Sequence, residues 1–284
     1  MPEAQGSEAG TGASGSWTLL VFGDSWAAEP VHNSWPEVLG RRLAARVLNF
    51  AQGGSVSGAL AAQAEAALES QEVPRGPDGQ LRKETLVVVH SGGNDFIYKL
   101  VLSLYKGGKL MSEKLDILQP NPGAREARAL ARFLARLHEA GARHFLVSGV
   151  PVTPLLPALR GVLPIFKKMA AAGKLQGMGV GPEDPPGRVL EVQAAALRGR
   201  WAEMVRGFGA EHPEAACLFF DEAGALGRLR EAMGEQAFSK SMWDFTKIHP
   251  SVFGHEQLAA EAHRCLAEGL PALARPAAAA ASRL

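Results

Sequence analysis

The sequence predicts an α/β protein built on a parallel sheet with helices on both faces. Three observations lead there. Five apolar runs read as strands: residues 18–22 (TLLVF), 46–51 (RVLNFA), 85–91 (TLVVVHS), 144–150 (HFLVSGV) and 216–222 (ACLFFDE). The runs are continuous rather than alternating, as expected for strands covered on both faces. Helical patterns lie between them, and this alternation is the mark of a parallel sheet.

The first strand, 18–22, runs into the small polar residues Gly23, Asp24 and Ser25. A helix over 34–47 follows Ser34 as its cap, and an Ala-rich helix over 57–70 follows the second strand. The pattern at 124–141 repeats apolar residues at helical spacing and stops on Gly141. Two more helices are predicted at 189–209 and 254–270. Segments 97–123 and 151–188 exceed what a minimal connection needs. Both follow strand ends, where long excursions line or cover sites. The apolar and basic stretch 155–169 within the second is either a lid or lipid-touching helix, or an ordinary helix packed on the insertion.

The expected organisation is one domain over 17–272 with insertions near 97–123 and 151–188. Residues 1–16 read as a disordered N-terminal segment and 273–284 as a low-complexity tail. The 284-residue chain suffices for a large core, and its apolar fraction of 46% is ordinary for a globular protein. Net charge is +1 with scattered cations, which argues against a nucleic-acid partner. Cys217 and Cys265 lie far apart, so neither a disulfide framework nor a zinc site is expected. No secretory pattern opens the chain and no transmembrane segment is expected. An intracellular protein is the expectation, either cytoplasmic or peroxisomal. The peroxisomal reading rests on Ser282-Arg283-Leu284, which is similar to the Ser-Lys-Leu address.

The strand ends carry the chemistry. In open parallel sheets the ligand crevice lies outside the carboxyl ends of the strands. Ser25 follows the first strand, Gly53 and Gly54 follow the second, and Asn94 follows the third in the stretch HSGGNDF. A hydroxyl, bare backbone N–H groups and an amide donor are the parts of an acyl-transfer site. The base such a site needs is offered by His249, in the loop before the last helix. The alternative for Gly-Asp-Ser is a turn capping the next helix.

These blocks, FGDS at 22–25, NFAQGGS at 49–55, GGND at 92–95 and HPS at 249–251, resemble the SGNH (GDSL) hydrolases, in particular their lipase/acylhydrolase branch. The resemblance implies a three-layer α/β/α sandwich with a five-stranded parallel sheet of flavodoxin-like type. It implies Ser25 as nucleophile, His249 as base, and the Ser25 N–H, Gly54 and Asn94 as the oxyanion hole. Gly54 is preferred to Gly53 from its spacing to Asn49. The implied activity is hydrolysis of an acyl or acetyl ester, of small-molecule or lipid type, through an acyl-Ser25 intermediate. An acyltransferase, or a catalytically weakened ester- or lipid-binding protein, would share these residues. Neither metal nor cofactor is implied, and no metal-ligand spacing is present in the sequence.

The chain departs from the family pattern at the acid. Three residues before His249 stands Thr246, where the family has Asp, and Asp244 lies two residues further back. Asp244, reaching the ring through a longer loop, is the expected acid; the alternatives are a Ser–His dyad whose ring is oriented by Thr246 or a backbone carbonyl, and a degraded site. Asp24 and Asp95 are expected to tie loops. His255 is expected to pack at the start of the last helix and His90 beside the sheet. Trp26 and Trp35 are either pocket walls or core.

Overall fold

A computed structural model describes residues 17–96, 123–149, 156–173, 180–185 and 187–274. Its strands are β1 (Thr18–Gly23), β2 (Arg46–Asn49), β3 (Thr85–His90), β4 (His144–Ser148) and β5 (Ala216–Phe220). All four pairings are parallel and the order across the sheet is β2-β1-β3-β4-β5.

That order explains the layers. The chain leaves β1 to one side for β2, then returns past it to β3, β4 and β5. Right-handed crossovers in opposite directions place helices on opposite faces. Helix α1 (Ser25–Ala28) and α2 (Trp35–Arg42) connect β1 to β2. On the return path lie α3 (Leu60–Glu69), α4 (Ala124–Glu139), α5 (Leu163–Ala171) and α6 (Arg188–Glu211). After β5 come α7 (Glu222–Met233), α8 (Glu235–Ser241), α9 (Val252–Gly269) and α10 (Pro271–Ala274). Helix α9 packs on α2, whereas α3 packs on α4 and α4 on α6. The direction reverses between β1 and β3, and there the crevice of such a sheet opens.

The core is the central sheet and the helix faces laid on it. Leu19 to Phe22 of β1 and Leu86 to Val89 of β3 are wholly buried. Helix α4 buries Leu130, Phe133, Leu134 and Leu137, which share one face at helical spacing. It begins after Gly123, at φ 78°, and Gly141, at φ 106°, follows its end. Each such buried aliphatic side chain contributes about 1.5–3 kcal/mol over its exposed state.

Several expectations need correction. Strands β2 and β5 form the edges and are only partly buried, so not every apolar run is covered on both faces. The helix expected over 34–47 stops at Arg42, because the chain turns through Ala44 at φ 50° to enter β2. Helices α7 and α8 lie where the sequence pattern predicts no helix. In 155–169, the described residues Leu156, Leu159, Phe166 and Met169 pack into the core, so this apolar face is not free for lipid. The excursion 97–122 and the ends 1–16 and 275–284, with Ser282-Arg283-Leu284, lie outside the described residues.

Candidate active site

Gly23 ends β1 and turns the chain toward Ser25. It pairs with His90 across the sheet at φ 129°, and a Cβ there would sit 1.7 Å from the His90 carbonyl oxygen. Only glycine allows this approach. The β2 ladder stops two residues earlier, at Val21 and Asn49, so the outer edge of Gly23 needs other partners. The buried Gln63 side chain of α3 supplies them. Its Oε1 accepts from Gly23 N at 2.8 Å and its Nε2 donates to Gly23 O at 2.9 Å. Ser55 Oγ donates to the same carbonyl at 2.7 Å. Nothing in the spacing of the sequence marks Gln63, because its role is to complete a ladder that only the sheet order leaves open.

Asp24 caps α1, accepting from Trp26 N at 3.1 Å, so the turn-and-cap reading of Gly-Asp-Ser also holds. The Ser25 N–H stands in the first turn of that short helix, where a helix leaves its amides without internal partners. Ser25 Oγ lies 2.8 Å from His249 Nε2. The other ring nitrogen, Nδ1, is 3.2 Å from Thr246 Oγ1, which is 2.5 Å from Asp244 Oδ1. Asp244 Oδ2 itself is 4.0 Å from Nδ1. A carboxylate only accepts, so the Thr246 hydroxyl donates to Asp244 and accepts from His249 Nδ1–H. That leaves Nε2 bare to accept from Ser25. Of the three candidate orienters, Thr246 touches the ring and Asp244 reaches it through Thr246.

The loop is tied to hold this. Asp244 Oδ1 also accepts from Thr246 N at 2.8 Å and Lys247 N at 3.2 Å, and Asp244 N donates to His249 O at 3.0 Å. Helix α9, capped by Ser251, fits against the loop because Gly254 has no side chain. A Cβ there would lie 2.3 Å from Met242 O.

The loop after β2 carries Gly54 at φ 75°, exposed, and among the described residues its N–H has no hydrogen-bond acceptor. Asn94 Nδ2 donates to Ser55 O at 2.9 Å, which ties the β3 loop to the Gly54 loop and leaves one amide hydrogen for another acceptor. Asp95 Oδ2 accepts from Ser57 N at 2.8 Å and Ser57 Oγ at 2.7 Å. Asp24 and Asp95 thus tie loops, as expected. A cavity of about 400 Å³ beside His249 is lined by Pro30, Phe245, Thr246, Pro250 and Val252 among others. Phe245 at its edge is 92% exposed.

Beneath Ser25 lies a buried chain of charge. His90 Nδ1 is 2.8 Å from Asp24 Oδ1, and Nε2 is 2.9 Å from Glu222 Oε2. Ser148 Oγ donates to the same Glu222 oxygen at 2.8 Å. Burial works against a charge on His90, but Glu222 and Asp24 outweigh it and raise its pKa to about 10. Trp26 stacks on the ring, centroids 5.4 Å apart and planes 5° from parallel. His255 is the opposite case. It is fully buried, accepts from Trp35 N at 3.1 Å, and burial lowers its pKa to about 3. Trp26 and Trp35 both belong to the core.

The model of the GDSL-like lipase/acylhydrolase family matches residues 21–257. The chain belongs to that family. The matched span holds Ser25, Gly54, Asn94, Asp244 and His249. No curated protein shows significant similarity to the chain. Among solved structures it resembles a protein described as lipolytic and of the G-D-S-L family from Desulfitobacterium hafniense, at 14% identity, 88% and 99% coverage of this chain and that one, and TM-score 0.50. A Bacillus subtilis protein matches at 14% identity and TM-score 0.52, with 89% of this chain covering 57% of that one. An acetylxylan esterase from Geobacillus stearothermophilus matches at 16% identity, 89% and 95% coverage, and TM-score 0.49. At these identities the GDSL hydrolase chain shares a fold with its neighbours, and the likeness goes no further.

Proposed function

We propose that this GDSL-family chain is a serine ester hydrolase that cleaves an acyl or acetyl ester through a covalent acyl-Ser25 intermediate. The observation that carries the reading is the 2.8 Å contact of Ser25 Oγ with an imidazole whose other nitrogen is engaged by Thr246.

In the first half-reaction Ser25 Oγ attacks the carbonyl carbon while its proton passes to His249 Nε2. The tetrahedral oxyanion is held by the Ser25 N–H, the Gly54 N–H and the Asn94 amide, donors that stabilise the charge as it develops. The imidazolium is stabilised by Asp244 through the Thr246 hydroxyl. The Nε2 proton then goes to the departing alkoxide oxygen, the C–O bond breaks, and the acyl group remains on Ser25. Water attacks the acyl carbon, gives its proton to Nε2, and the carboxylic acid leaves as Ser25 is reprotonated. The apolar cavity beside His249, edged by Phe245, Pro30 and Val252, suits the acyl chain of a small or lipid ester. The serine mechanism uses no cofactor.

Fluorophosphonate labelling of wild type and Ser25→Ala, with turnover of p-nitrophenyl acetate, butyrate and octanoate, tests this. Wild type is expected to label and turn over, and Ser25→Ala, folded, to do neither. A folded wild type inert to both would sink the proposal. The order of rates along the ester series reports the length the cavity takes.

A further inference from the structure

At the amino ends of the strands, across the sheet's length from Ser25, where β4 and β5 begin, two helices end together. Helix α4 ends at Glu139 with His138 in its last turn, and α6 ends at Glu211, followed directly by His212. A turn closed by Ala215 N donating to His212 O at 2.8 Å brings Glu214 back beside both histidines. His138 Nε2 is 2.7 Å and His212 Nδ1 3.9 Å from Glu214 Oε1. One ligand atom from each residue lies within 4.8 Å of the others. We propose that His138, His212 and Glu214 bind a divalent transition cation of the zinc type, which clamps the end of α4 to the turn before β5.

The donor set and spacing fit. Two imidazole nitrogens and one carboxylate oxygen, with a position left to solvent, is a zinc ligand set. Metal–ligand bonds of about 2.0–2.1 Å in tetrahedral array put ligand atoms roughly 3.3 Å apart. The two observed separations, 2.7 and 3.9 Å, bracket that value, so each has to change by only about 0.6 Å. His138 Nε2 is shielded from solvent and faces the Glu214 carboxylate at 2.7 Å, so two of the three ligand atoms already meet at one point. The rings are placed by packing. Phe208 meets His138 edge-on at 5.8 Å and His212 at 4.5 Å, and the two imidazoles lie 4.3 Å apart. Two helix C-termini converge here, and both dipoles favour a cation. Arg143 already takes the His138 carbonyl, donating at 2.8 Å, but its guanidinium leaves the imidazole nitrogens open. The sequence hides the set because His138 comes from a different helix, and a His-x-Glu pair alone has no metal signature.

Calorimetric titration of chelator-treated protein with Zn²⁺, paired with the visible spectrum of the Co²⁺ form, tests the site without reference to activity. One equivalent is expected to bind, with a tetrahedral Co²⁺ spectrum and a raised Tm. His212→Ala and Glu214→Gln, at a half-buried and an exposed position, should lose at least about tenfold in affinity. Ser25→Ala and His249→Ala should bind as wild type does. Absence of binding, binding unchanged in His212→Ala and Glu214→Gln, or binding lost only in His249→Ala would overturn the proposal. Should His138→Ala fail to fold, the His212 and Glu214 variants decide.

Discussion

Thr246 stands between a carboxylate and an imidazole that in the family pattern would touch. Asp244 Oδ1 is already occupied by the Thr246 hydroxyl and two backbone amides, so its hydrogen-bonded link to His249 runs through the Thr246 hydroxyl. Thr246→Val removes the hydroxyl and leaves Nδ1–H without its acceptor, a loss of about 1–3 kcal/mol, or roughly 5- to 150-fold in kcat. Asp244→Asn keeps the loop shape but removes the charge, and should cost about 10²-fold or more, below the ~10⁴ of a directly bonded acid. Adding Thr246→Asp to Asp244→Asn places a carboxylate on Nδ1 and is expected to recover activity. Steady-state kinetics of the three variants would refute the relay if Thr246→Val matched wild type. The sequence showed both candidates here but not their order, because the choice depends on how Lys247 turns the loop at φ 60°.

Helices α3 and α9 act at the scale of elements, each holding one half of the Ser25–His249 pair. Gln63 of α3 completes the open edge of Gly23, so Gln63→Leu leaves the buried Gly23 N–H unpaired beside the nucleophile, while the Gly23 carbonyl keeps Ser55 Oγ and Gln52 N as donors. The expected cost is about 1–3 kcal/mol in stability. A fall in kcat should accompany it at temperatures where the variant remains folded. Denaturant midpoints and kcat measured together check this, and an unchanged kcat would deny Gln63 its positioning role. The strongly periodic helices were legible, as α4 shows with four core residues on one face. Helix α7 was not, because Glu222, Ala223, Ala225 and Leu226 offer few large apolar residues, and Glu222 is buried for its contact with His90. An acidic residue next to a strand end reads as solvent-facing until its partner across the sheet is known.

Two buried histidines set the response of the whole molecule to pH, with opposite sign. His90 has its pKa raised from 6.5 to about 10, so its contribution is complete below its unfolded value and is lost as pH rises through about 10. His255 has its pKa lowered from 6.5 to about 3, so it stabilises above 6.5 and that contribution declines as pH falls toward 3. Tm is therefore expected to fall on both sides of neutrality. Glu222→Gln removes one carboxylate from His90 and should bring the alkaline fall to lower pH. His255→Asn keeps an acceptor for Trp35 N and should flatten the acid limb. Calorimetric scans from acid to alkaline pH check both, and limbs unmoved by these variants would remove the two histidines from the account.

The sequence alone was enough for the parallel sheet, its strands and the four blocks at the strand ends, because buried strands and tight turns impose local residue choices. It also placed Ser25, Gly54, Asn94 and His249 in one family pattern. Tertiary structure decided the rest. Strand order made β2 and β5 edges and left Gly23 in need of Gln63. Packing put His90 between Asp24 and Glu222, and brought His138 to His212 and Glu214. Each is a meeting of residues far apart in the chain, and their relative positions follow from the whole packed fold, which no local pattern encodes.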